Sequence, residues 1–136
     1  MAITNQERVG KAVELLRAGL APYVEREFAN AYKDKAQAEA RRLLPSEDRM
    51  NGNRPIAQWD AAVLLKVMWD AWNDVFARTL GRAERSLVQE LRDVRNRWAH
   101  QEAFSGDDAY RALDSVHRIM VGRVEVEVGA HADLLV

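Results

Sequence analysis

The stretch SLVQELRDVRNRWAH, Ser86 to His100, decides how the rest of the chain is read. Leu87, Leu91, Val94 and Trp98 recur at steps of four, three and four, the spacing of one apolar face of an α-helix. Arg92 and Arg95 fall off that face, and His100 closes the segment. One helix therefore binds a core and carries guanidinium groups close to an imidazole.

Working outward, the pattern predicts helices on both sides. Ser105 offers a cap for a following helix, with Asp107 and Asp108 in its first turn. Ala109, Leu113, Val116 and Met120 give that helix an inner face. Upstream, Ile56 to Leu80 predicts a central helix, because Trp59, Val63, Val67, Trp69, Trp72 and Phe76 surround much of its girth. Lys66, Asp70, Asn73 and Asp74 keep one side polar. Its tryptophans suit core packing, or anchorage at a subunit interface. Gly81 is expected to end it. Pro45 to Pro55, with Asn51-Gly52 inside, predicts a loop joining two helices.

At the start, Thr4 or Asn5 can cap a helix bearing Val9, Val13, Leu16 and Leu20. Gly19 and Pro22 predict a break near Leu20, with Pro22 opening a second helix that carries Tyr23, Val24, Phe28 and Tyr32. Lys33 to Arg42 reads as a solvated helical continuation. Residues 122–136 change character. Val124 to Val128 alternates with period two, like a short strand, or begins a linker. Residues 1–121 thus read as one helical domain, and 122–136 as a tail or a linker toward a further domain. The fold class is all-α, an up-and-down bundle of four to five main helices.

Composition agrees and excludes several chemistries. The 136 residues are 48% apolar and 30% charged, with 7 Gly and 3 Pro, which suits a folded helical domain. The absence of Cys removes disulfide scaffolds and thiolate chemistry. A net charge of −1 gives no global attraction to nucleic acid, so any such contact is local. MAITNQERVGK lacks the apolar run of a signal peptide, and no apolar run is long enough to span a membrane. A cytoplasmic protein is expected by default. No histidine pair has metal-ligand spacing, so no metal and no cofactor is expected. His117 reads as a core-edge histidine, and His131 lies in the tail. Glycine-rich phosphate loops and Gly-x-Ser-x-Gly elbows are absent.

Arg95 and His100 admit two accounts. Five residues rotate about 140° on a regular helix, so the pair converges only where the backbone loosens at the helix end. Helix C-termini favour cations for stability alone, which is the first account. The second is phosphodiester chemistry. Histidine exchanges protons near neutral pH, and arginine can hold two phosphate oxygens at once. His100 would then move the proton of a ribose 2′-hydroxyl or of the leaving oxygen, and Arg95 would stabilise charge on phosphorus oxygens. Asn96 can orient either group. A single imidazole serves poorly as both acid and base, so two copies of the chain suit this chemistry better than one. From Arg78 to Arg97, six Arg (78, 82, 85, 92, 95, 97) face three acids (Glu84, Glu90, Asp93), a local excess of 6 − 3 = +3. That band either recruits phosphates or is spent on ion pairs involving Arg82, Arg85 and Arg92.

Arg95-Asn96-Arg97-Trp98-Ala99-His100 resembles the R-x4–6-H motif of the HEPN superfamily of helical domains, with a polar residue straight after the arginine. Glu90 to Val94 and the capped segment FSGDDAYRALDSVHRI extend the likeness over about Ser86 to Met120. It is most similar to the branch found at the N-terminus of large ATPase and helicase-like proteins and beside RNA-endonuclease domains. The resemblance implies a homodimer formed through the motif helix. It also implies metal-independent RNA cleavage to a 2′,3′-cyclic phosphate, with Arg95 and His100 as the catalytic pair and Asn96 in support. Arg92 and Arg97 are then candidate RNA contacts, and Trp98 is assigned to packing. Other members imply two alternatives: a non-catalytic dimerisation or RNA-binding module attached to an ATPase or helicase region, and a toxin paired with an antitoxin.

Overall fold

Thr4 stops the first helix from fraying: its hydroxyl accepts from the Glu7 amide at 3.1 Å. From there the computed structural model, which describes residues 3–48 and 52–121, runs helix α1 unbroken over Asn5–Tyr32. The expected break at Pro22 does not occur. An internal proline costs about 3 kcal/mol. Leu16, Leu20, Tyr23, Val24 and Phe28 are all buried along the same helix, each contributing about 1.5–3 kcal/mol. The packing outweighs the proline.

The interruption falls later, at Lys33, where φ is 56°. A 3₁₀ turn, Lys33–Lys35, leads to the short helix α2, Ala36–Arg42. Gln37 of α2 fastens the chain at Gly52, Arg54 and Ile56: its amide donates to the Gly52 and Arg54 carbonyls at 3.2 and 2.8 Å and accepts from the Ile56 amide at 3.3 Å.

The single helix expected over Ile56–Leu80 is divided. A 3₁₀ turn spans Ile56–Gln58, and Asp60 then caps helix α3, Ala61–Asp70, by accepting from the Val63 amide at 3.0 Å. Beyond Asp70 the chain winds through turns to a 3₁₀ segment, Phe76–Arg78. The Trp72 carbonyl accepts from both the Phe76 and Ala77 amides, at 3.1 and 2.8 Å. This winding buries Ala71, Trp72, Val75 and Phe76 while Asn73 and Asp74 stay exposed. Trp59 and Trp72 join the core; Trp69 is half-buried beneath the Arg85 guanidinium, 4.3 Å from its ring centroid.

Gly81 does not end the preceding helix but caps the next one, its amide donating to Glu84 at 3.1 Å. Helix α4 covers Arg82–Ala99, as its pattern predicts, and buries Val88, Leu91 and Val94. Helix α5, Gly106–Val121, follows the reciprocal cap of Ser105 and Asp108. Leu113 is 37% exposed rather than inward. The inner face instead runs through Ala109, Ala112, Ser115, Val116, Ile119 and Met120, where small residues admit close helix approach. His117 is exposed rather than at the core edge. The strand expected at Val124 to Val128, and His131, lie outside the described residues.

The result is an all-helical bundle. α4 packs between α3 and α5, and α1 packs on both α3 and α5. Among the described residues no helix is long and apolar enough to cross a membrane. One polar knot ties α1 to the end of the 3₁₀ segment. Thr79 donates to the buried Glu27 carboxylate at 3.0 Å and lies 2.5 Å from the Tyr23 hydroxyl. Burial pushes the Tyr23 phenol up to about 12 from its ordinary 10.0.

Candidate active site

The last turns of α4 are held from two directions. From α1, the Asn5 amide donates to the Phe104 carbonyl and the Gln6 amide to the Trp98 carbonyl, both at 3.0 Å. Trp98 itself lies over Gly10, where an added Cβ would stand 2.8 Å from the indole Nε1. A glycine here lets the indole seat against α1. The assignment of Trp98 to packing therefore has a specific partner.

The helix end closes as a Schellman motif. The Gln101 amide donates to the Trp98 carbonyl at 3.0 Å and the Glu102 amide to the Arg97 carbonyl at 2.9 Å. Gln101 occupies the left-handed position, with φ 58°. His100 is the C-cap residue, at φ −88° and ψ 7°. Its imidazole is exposed, and among the described residues it has no hydrogen-bond or ion-pair partner.

Arg92, Arg95 and Asn96 share a face of α4 by their three- and four-residue spacing. They line a polar cleft of about 260 Å³ whose other wall is Asp48, Asp60, Ala62, Val63 and Lys66. Among the described residues the guanidinium groups of Arg92 and Arg95 have no ion pair or hydrogen bond. Lys66 is neutralised by Asp70, one turn on. His100 does not line the cleft. On ideal geometry it stands about 40° around the helix from Asn96, on the side away from Arg95. Asn96 therefore lies between the two, facing the cleft on one flank and solvent on the other.

Arg97 has a different setting. It donates to the Ala103 carbonyl at 3.1 Å and approaches Asp108 at 3.5 Å, while its guanidinium carbon sits 4.7 Å from the Phe104 ring centroid. Its charge is spent on the α4–α5 corner. The Asp108 carboxyl is held below its usual range, first by hydrogen bonds from Ser105 and then by Arg97. The arginine band is likewise split. Among the described residues Arg82, Arg85 and Arg92 have no ion pairs, but Arg85 is engaged by Trp69 and Trp72.

Sequence reasoning missed the far wall of the cleft. Asp60 reaches it because α3, which it caps, packs on α4, and Asp48 reaches it from the separate turn Ser46–Asp48; no local pattern links either to Arg92. No group of three or more His, Asp or Glu among the described residues is arranged to hold a metal ion.

A family model described as Swt1-like HEPN matches residues 11–122. The chain belongs to this HEPN family. No curated protein and no solved structure matches it. Membership accounts for the helical bundle. It indicates an RNA-related, nuclease-type function in general terms, in a family whose domains commonly dimerise and bind RNA.

Proposed function

We propose that this HEPN domain is a metal-independent RNA endonuclease working as a homodimer. One observation carries the reading: Arg95 and His100, at one end of a tightly held helix, have no side-chain partner among the described residues, whereas neighbouring Arg97 is fully engaged. Charged and protonatable groups left unpaired on a rigid element are available to a ligand.

In the proposed step the ribose 2′-oxygen attacks phosphorus, the bond from phosphorus to the 5′-oxygen breaks, and a 2′,3′-cyclic phosphate remains. His100 of one copy takes the 2′-hydroxyl proton, and His100 of the second copy gives a proton to the departing 5′-oxygen. Arg95 stabilises the charge that grows on the non-bridging oxygens. Asn96, between them, orients the phosphate. Pairing through α4 would bring the two helix ends together. Tyr110, 76% exposed, and Leu113 on the adjoining α5 offer apolar surface beside it.

The test incubates purified protein with mixed-sequence RNA in EDTA, beside His100→Ala. The parent is expected to leave 2′,3′-cyclic ends, and the variant to lose at least a hundredfold in rate with unchanged helicity and gel-filtration volume, the scale of general acid–base catalysis. Equal cleavage by both proteins overturns the assignment. A parent that dimerises but cuts nothing returns the domain to a non-catalytic module.

A further inference from the structure

The cleft beside Arg95 carries more than a phosphate needs. Its α4 wall is cationic and, among the described residues, unpaired, through Arg92 and Arg95, but its opposite wall presents the carboxylates of Asp48 and Asp60 beside Lys66, whose charge is met by Asp70. A bare phosphate is attracted by the first wall and repelled by the second. An occupant that satisfies both carries negative charge at one end and hydrogen-bond donors at the other. A nucleotide has that form when its base offers N–H groups.

The two carboxylates are not equivalent. Asp60 already accepts from the Val63 amide at 3.0 Å and caps α3. Asp48 closes the 3₁₀ turn Ser46–Asp48 and is half-exposed; among the described residues its side chain has no hydrogen-bond partner. Asp48 is therefore the free acceptor. A carboxylate accepts best when two parallel donors meet its two oxygens. Guanine alone among the four RNA bases places two such donors, N1–H and N2–H, side by side on its Watson–Crick edge. Uracil offers one N–H between two carbonyls, which Asp48 would repel. At about 260 Å³ the cleft falls below the range of about 300–1,000 Å³ typical of drug-sized ligands, a scale that suits one base and not two. Ala62 and Val63 give it an apolar wall.

We propose that this cleft is a base-specificity pocket that selects guanine next to the phosphate held by Arg92 and Arg95, with Asp48 reading the base. The inference rests on the RNA-cleaving assignment for its ligand class but concerns recognition rather than chemistry, so binding tests it separately.

The experiment measures fluorescence anisotropy of labelled single-stranded 2′-O-methyl RNA hexamers, which lack the 2′-hydroxyl that the proposed cleavage needs and are uniform except for one central base, in EDTA, using residues 1–136. The probes contain G, A, C or U at that position, and the proteins are the parent, Asp48→Asn and Arg92→Gln. The parent is expected to bind the G probe at least tenfold tighter than the U probe. Asp48→Asn should lower that ratio to about threefold or less with unchanged melting temperature. Arg92→Gln should weaken all four probes alike and lower the salt dependence by about one unit of slope, leaving the ratio intact. Equal binding of the four probes by the parent overturns the pocket, whatever cleavage is seen. A G preference that survives Asp48→Asn overturns the role of Asp48. Guanine selectivity in a protein that never cuts RNA upholds the pocket and removes the nuclease. Binding to none of the probes removes both.

Discussion

Two polar regions border the last turns of α4, and they use arginine in opposite ways. At the α4–α5 corner Arg97 is consumed by structure: it donates to the Ala103 carbonyl, pairs with Asp108 and covers Phe104. In the cleft one turn earlier, Arg92 and Arg95 have no partner among the described residues. The three side chains have the same chemistry and lie within six residues of one another on the same helix. Rotation about the helix axis separates them, and that rotation decides which neighbours each can reach. Local excess charge therefore does not identify a ligand site; charge left over after the fold has used its share does.

Arg95→Ala gives the sharpest break. Its guanidinium has no hydrogen bond or ion pair among the described residues, so stability should change by no more than about 0.5 kcal/mol, as for surface substitutions generally. If Arg95 stabilises the transition state, the rate of RNA cleavage should fall by about 10²–10³, the scale seen when one such donor is removed. Single-turnover cleavage beside a urea melt checks both halves. A large stability loss with proportionate activity would place Arg95 with Arg97 and dissolve the contrast.

Arg97→Ala should show the reverse pattern. It removes a charge-assisted hydrogen bond to a main-chain carbonyl, an ion pair at the α5 cap and a cation–π contact. Together these should cost about 1–3 kcal/mol of stability. Cleavage per folded molecule should change less than tenfold, because the side chain does not line the cleft. A variant that melts like the parent but loses RNA affinity uniformly would show that Arg97 leaves the corner to meet phosphate.

The same contrast explains what could be read from the chain alone. Helix α4 is legible because its stripe, Leu87, Leu91, Val94 and Trp98, matches one period, and the Ser105–Asp108 cap is a purely local signal. The break at Pro22 was misplaced because a proline is a local cost, whereas the burial that overrides it is contributed by α3 and α5. The Ile56–Leu80 segment was too apolar to show its own interruption: a buried helix and buried turns present the same composition. Leu113 illustrates the rule in reverse. The larger residue faces outward because Ala112 and Ser115 permit closer packing. In the candidate site, Arg95, Asn96 and His100 were visible as a motif. The fates of Arg92 and Arg97 were not, since they depend on Phe104, Asp108 and α3.

The smallest expected effect bears on how His100 is held. Gln101 sits at φ 58°, in the position that Schellman motifs usually give to glycine. A residue with a Cβ pays about 1–2 kcal/mol to stand there. Part of that is returned by its smaller entropy in the unfolded chain. Gln101→Gly should therefore stabilise the domain by about 0.5–1 kcal/mol, a rise of a few degrees in Tm. The cleavage rate decides what the strained glutamine does. If the rate is unchanged, the hydrogen bonds to the Trp98 and Arg97 carbonyls are sufficient to place the imidazole. If stability rises while the rate falls, the glutamine side chain restrains the corner that presents His100, and strain at that residue is tied to activity. The corner would then belong to the site, and only the arginine within it would be structural.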